Sequence, residues 1–397
     1  MKRHVLTALA LAVTLVVGLA GPAFAHSRHD HDRHSDWRHG GHNGHKHHGH
    51  GHGHDGDHDG HDDGEAPGTV TVVADNLNNP RQVTVNDGAV YVAEAGTGGD
   101  TCLGEGEDRA CFGFTGSVTR VQDDEAERVQ TGLFSIGGPE GDVVGLDSLA
   151  FKHDRMYGIV TGTCEVPPEA PAEALAQIGQ VLRLHGGTDF ESVGNVSQFE
   201  CDNDPDGQGI DTDPYGIAIK GRTIYVADAA GNDILAVNKH TGEVSLAAVL
   251  STTSQPVPTS LAIGPDGNLY IGTLNFEGGP NNSVVYKLDL ETGELSEYAT
   301  GLTFITGLNF GPNGDLFVSE FSTGFGEMGP LPDGDIVRIP WGAPAEGREV
   351  IGAGSLHFPT GVAYHCGALY VSNWGIATGE DGPFGPGAHG QLVKIAL

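Results

Sequence analysis

The sequence predicts an all-β fold, a six-bladed β-propeller closed by its own first strand, and three observations predict it. One phrase recurs six times along the chain. Each copy is a pair of short strands in small-apolar alternation around a glycine turn, the signature of a hairpin. A further strand stands alone before the first copy, while the last copy lacks an outer strand. The 63 glycines and 38% hydrophobic content of the 397 residues suit many short strands packed on a real core.

The first copy runs from Pro80-Arg81-Gln82-Val83 to Tyr91-Val92-Ala93-Glu94, and the second from Leu146-Asp147-Ser148-Leu149 to Tyr157. The third runs from Pro214-Tyr215-Gly216-Ile217 to Tyr225-Val226-Ala227-Asp228, the fourth from Pro258-Thr259-Ser260-Leu261 to Tyr270-Ile271-Gly272-Thr273. The fifth joins Ile305-Thr306-Gly307-Leu308 to Phe317-Val318-Ser319-Glu320, the sixth Pro359-Thr360-Gly361-Val362 to Tyr370-Val371-Ser372-Asn373. Third strands are predicted over 117–121, 180–184, 233–238, 283–288, 335–339 and 391–395, and fourth strands over 127–130, 244–249, 295–299 and 348–351. Four antiparallel strands repeated six times make a propeller. The lone strand 69–74 is expected to complete the sixth blade, which removes the open sheet edges.

Alternating strand direction puts the start of each inner strand and the end of each second strand on one face. That face collects Arg81, Asp147, Tyr215, Thr259, Thr306 and Thr360 near the channel, with Glu94, Asp228, Thr273, Glu320 and Asn373 around them. Glu94, Asp228, Glu320 and Asn373 form a candidate ring for a divalent cation, since hard oxygen donors suit Ca2+. The bland alternative is that these groups cap strand ends. A second candidate is Asp202-Asn203-Asp204-Pro205-Asp206-Gly207 with Asp213 at the twelfth position, the opening of a calcium loop. Pro205 and the lack of evident flanking helices count against it, and an Asp-rich turn is the plainer reading.

The N-terminus reads as an export signal over 1–25: Lys2 and Arg3, an apolar run Leu6–Ala20, and Ala23-Phe24-Ala25 as the cleavage site. The expectation is a secreted protein without stable membrane insertion. Residues 26–66 are a His, Gly and Asp segment with 14 histidines, and 67–397 are the propeller. Such a segment holds nothing to build a core and is expected to be disordered. His45, His47, His48, His50, His52 and His54 are its densest run and offer imidazole nitrogen to Zn2+, Cu2+ or Ni2+. The formal charge of −33 repels nucleic acid, which is excluded as a partner. Of five cysteines, Cys102 with Cys111 and Cys164 with Cys201 are the expected disulfides, leaving Cys366 over.

No nucleophile-elbow, zinc-protease or dinucleotide-binding motif occurs in usable context. The chain resembles the ScyD/ScyE family of exported bacterial propellers. The resemblance rests on Leu77-Asn78-Asn79-Pro80-Arg81, Tyr91 to Gly96, Cys111-Phe112-Gly113 with Thr115 to Arg120, Asn203 to Gly216, and Tyr225 to Ala229 with Gly231-Asn232-Asp233. It implies a TolB-like six-bladed propeller outside the cytoplasmic membrane and supplies no catalytic residues. The expected role is an extracellular binding or scaffold module for a small molecule or extracellular protein, with Ca2+ in the propeller. The alternative is a divalent-metal-dependent hydrolase or lyase of gluconolactonase type that uses the acidic ring.

Overall fold

A computed structural model describes residues 66–106, 109–123, 125–138, 142–166, 170–326, 329–377 and 388–397. The export signal and the histidines from His45 to His54 lie outside the described residues. Six sheets follow the six repeats. Blade one is Pro80–Asn86, Ala89–Glu94, Ala110–Gln122 and Glu125–Gly137; blade two is Leu146–Lys152, Arg155–Val160, Gln180–Gly186 and Asp189–Asn195. Blade three is Pro214–Lys220, Thr223–Asp228, Asp233–Asn238 and Val244–Val249; blade four is Pro258–Ile263, Leu269–Thr273, Ser283–Leu288 and Leu295–Leu302. Blade five is Ile305–Phe310, Leu316–Glu320, Asp333–Ile339 and Glu349–His357. Blade six takes Gly361–His365, Ala368–Asn373 and Gly390–Ala396 from the end of the chain and Val70–Leu77 from its start. That last pairing is antiparallel, with Val70 opposite Ile395 and Leu77 opposite Gly390. The protein is therefore a six-bladed β-propeller with the predicted closure.

The blades stack through cores between neighbours, because the second strands are buried on both faces of their sheets. Leu146, Leu149, Leu182 and Leu133 pack between blades one and two. Ile159, Val181, Val226 and Leu235 join blades two and three. Leu77, Val83, Val92 and Leu392 seal blade six against blade one, and thus the ring. The inner strands touch their neighbours all the way round. In every blade but the first, where it is Gln82, their third position is glycine or serine for this reason: a Cβ on Gly361 would sit 2.6 Å from the Arg81 carbonyl oxygen and 2.7 Å from Gln82 Cα.

Three elements differ from expectation. Blade two has a fourth strand, Asp189–Asn195, whose exposed face hid it among polar residues. The two outer strands of blade one run on for 13 residues each, and their extension pairs with a short strand, Thr101–Leu103, to which the disulfide Cys102–Cys111 ties it. A helix, Val196–Asn203, stands where a bare connector was read. The side chain of Asn195 accepts from the Gln198 amide at its start, and Asp204 ends it with a left-handed φ of 44°. The second disulfide, Cys164–Cys201, ties this helix to the loop after the second strand of blade two, and Cys366 is a free, exposed thiol. Among the described residues no helix is long and apolar enough to cross a membrane.

Candidate functional site

The six inner-strand positions predicted at the channel divide into two kinds. In blades four, five and six the position is threonine, and each hydroxyl donates to the backbone of the next blade. Thr259 Oγ1 reaches the Ile305 carbonyl at 2.6 Å, Thr306 the Pro359 carbonyl at 2.8 Å, and Thr360 the Pro80 carbonyl at 2.6 Å. These hydroxyls stitch the ring together. In blades one, two and three the same position holds Arg81, Asp147 and Tyr215, side chains with chemistry of their own.

Arg81 is buried and spans the mouth. Its Nη1 donates to the Gly375 carbonyl at 2.7 Å and its Nη2 to the Val143 carbonyl at 2.5 Å. Its Nε lies 3.4 Å from Asp147 Oδ1. Asp147 is 1% exposed, and neither of its oxygens accepts a hydrogen bond. Burial holds its carboxyl well above the usual range, and the Arg81 charge only partly offsets this. Asp213 also faces the mouth; burial pushes it up to about 6, against a hydrogen bond from Thr161 Oγ1. Burial likewise raises the Tyr215 phenol. Arg81, Asp213 and Tyr215 line a cavity of about 70 Å³ with Val144, Leu274 and Phe321 among its apolar walls. Below it Gln82 donates to the Thr306 carbonyl of blade five, past blade six, so a side chain bridges the channel at that depth. A second space of about 270 Å³ opens beyond, lined by the far halves of the inner strands.

The ring of Glu94, Asp228, Glu320 and Asn373 is not gathered around the mouth. Each side chain turns onto nearby backbone and accepts an N–H that lies shortly before the inner strand of its blade. Glu94 accepts from Asn78 N at 2.7 Å, Asp228 from Asp213 N at 2.7 Å, Glu320 from Thr303 N at 2.6 Å and Asn373 from His357 N at 2.6 Å. Asn78, Asp213 and Thr303 lie outside the strands, so their N–H groups need an acceptor, which the end of the second strand supplies; His357 ends the outer strand of blade five, opposite Asp333. The capping alternative describes these four side chains. Glu94 is held further by Ser117, Thr119 and both Nε and Nη2 of Arg128.

The Asp-rich run is likewise spread out. Asp202 sits exposed on the helix and accepts from Gln198 Nε2. Asp204 caps the helix, Asp206 is buried and accepts from Gln208 and Asn232, and Asp213 faces the channel. The helix takes the first aspartate out of the turn, which separates it from the twelfth position. Among the described residues no group of three or more His, Cys, Asp or Glu side chains is arranged to hold a metal ion.

Sequence reasoning missed Glu200 and Asp233. Both are 0% exposed, and none of their four carboxylate oxygens accepts a hydrogen bond. Asp233 stands directly opposite Asp228 in the hairpin register, a pairing legible from Asp228 and Asp233 flanking the Gly231-Asn232 turn. Glu200 carries no such signal beyond its place beside Cys201.

The chain is similar in structure to luciferin-regenerating enzyme, with a TM-score of 0.50 and 11% identity over 84% of this chain and 96% of that one. It is also similar to a streptogramin B lyase, with a TM-score of 0.46 and 14% identity over 77% of this chain and 81% of that one. A chain of a nidogen/laminin complex gives a TM-score of 0.45 and 19% identity over 67% of this chain and 85% of that one. At such identities the likeness concerns the propeller fold alone. No protein-family model and no curated protein matches the chain.

Proposed function

We propose that this chain is an exported binding propeller of the ScyD/ScyE kind, which takes a small, neutral, hydrogen-bonding molecule or side chain in its channel mouth. The observation that carries the reading is the convergence of Arg81, Asp213 and Tyr215 on an apolar-walled cavity, with buried Asp147 beside Arg81, since a few convergent polar groups in an apolar pocket are the usual make-up of a ligand site. Neutral ligands are favoured for two reasons. The charge of Arg81 is already committed to Asp147, and the acidic chain repels anions. The gluconolactonase-type alternative loses its support where the proposed metal ring is spent on capping. The histidine segment would capture Zn2+, Cu2+ or Ni2+ outside the cell as a separate activity.

The test is a thermal-shift and calorimetric screen of the mature chain against neutral lactones, amides and polyols. Asp147→Asn and Tyr215→Phe serve as controls that preserve volume. A ligand of the mouth binds the wild type and loses at least about tenfold in affinity in one of the two variants, the worth of one good hydrogen bond. Ligands that bind the wild type and both variants alike would place recognition elsewhere and sink the reading.

A further inference from the structure

Blade three contains a concentration of buried negative charge that the channel mouth does not use. Glu200, Asp206, Asp228 and Asp233 are 0%, 3%, 0% and 0% exposed. Among the described residues no lysine or arginine forms an ion pair with any of them. Two of the four are supplied with donors. Asp228 accepts from Thr212 Oγ1, Asp213 N and Gly231 N, and Asp206 accepts from the Gln208 amide and side chain and from Asn232. The other two are not. Glu200 and Asp233 face each other at hydrogen-bonding range, and neither receives a donor from any other residue. A Cβ on Gly231 would lie 3.0 Å from Glu200 Cδ and 3.3 Å from Asp228 Cγ, so glycine is what lets the carboxyl groups close around the turn.

Two facing carboxylates without a donor are stable only with something between them, a shared proton or a cation. One shared proton would bridge one oxygen of each residue and leave their other oxygens without a donor. A divalent cation offsets two negative charges at once and uses the open oxygens of both residues.

We propose that Glu200 and Asp233 are the protein ligands of a structural Ca2+ site on the rim of blade three, independent of the channel mouth. The all-oxygen donor set selects a hard cation, and Ca2+ tolerates bidentate carboxylates and fills the rest of its shell with water and carbonyl oxygens. Asp206 and Asp228 add their field without giving up their own donors. The site also has mechanical support on both sides. Asp233 is fixed by the strand register, and Glu200 by a helix whose next residue is bonded through Cys201 to blade two. Bound Ca2+ would join the helix to the hairpin.

The test uses the mature chain, chelated and then titrated with CaCl2, with MgCl2 in parallel, followed by calorimetry and thermal unfolding. Wild type gains about 4 °C in Tm at a hundredfold excess of Ca2+ over its dissociation constant, and less with Mg2+. Glu200→Gln and Asp233→Asn each bind Ca2+ at least tenfold more weakly and, with chelator present, melt higher than wild type because the repulsion is gone. A purely structural role for the two acids would make both variants melt lower. Asp202→Asn, on the outside of the helix, retains the full Ca2+ response. The assignment is overturned if wild type shows no Ca2+ shift. It is equally overturned if the shift survives in both Glu200→Gln and Asp233→Asn, or vanishes in Asp202→Asn.

Discussion

Blades one and three end their second strands with the same backbone geometry and opposite electrostatics. In blade one Glu94 stands opposite Ser117, and in blade three Asp228 stands opposite Asp233. Both acids are fully buried, and both accept the N–H that leads into the inner strand. Glu94 then receives two hydroxyls and a forked guanidinium from Arg128. Asp228 receives no cation, and three more carboxylates, Glu200, Asp206 and Asp233, gather near it. Burial pushes Asp228 up to about 7, even against its three hydrogen-bond donors. A repeated backbone thus fixes where an acid goes. The residue opposite it decides whether that acid is a finished brace or one member of an unfinished set.

Three changes would break or sharpen this contrast. The largest effect is expected from Arg128→Met, which strips blade one of its cation and leaves a buried carboxylate held only by neutral donors. We expect a loss of about 2 kcal/mol in denaturant unfolding, below the usual cost of splitting a buried pair because Arg128 is 42% exposed. The next is Asp233→Ser, which gives blade three the residue blade one has. It should stabilise the chelated protein by about 1 kcal/mol, and abolish any gain on adding Ca2+. A loss of stability in chelator would mean that Asp233 is neutralised by some other route.

The smallest effect concerns blade five, where Glu320 stands opposite Asp335. Burial raises the Glu320 carboxyl and the Asp335 charge raises it further, against the Thr303 amide. The folded chain therefore keeps a proton that the unfolded chain has already released. Stability from this group is full in acid below the ordinary glutamate pKa of about 4.3, and is lost as pH climbs through the raised folded value. Glu320→Gln still accepts from Thr303 and should flatten that slope in unfolding midpoints measured between about pH 4 and about pH 8. An unchanged slope would assign the pH dependence to other groups.

The blades were legible because the repeat carries its own register. An apolar residue and an aromatic eight or nine positions apart, around a glycine turn, fix two strands and their pairing. The outer strand Asp189–Asn195 was not legible, since half of it faces water and little apolar alternation survives. The positions of Glu94, Asp228, Glu320 and Asn373 were read correctly as strand ends, but their direction was not. A sequence shows where a carboxylate is, and the need of an unpaired backbone N–H to find an acceptor shows where it points. Glu200 was hidden for another reason: its helix is short and weakly amphipathic, and its neighbours across space come from a hairpin 28 to 33 positions later.

The strand Val70–Leu77 finds its partner Gly390–Ala396 only after every intervening blade has been made. As the chain is made, the earliest stretch to emerge must idle with bare edges until the latest arrives. Such a ring ripens slowly and offers sticky borders to other copies in the meantime. A protease that nicked the chain just before Gly390 would uncouple the circle at a single seam, while leaving five complete blades intact.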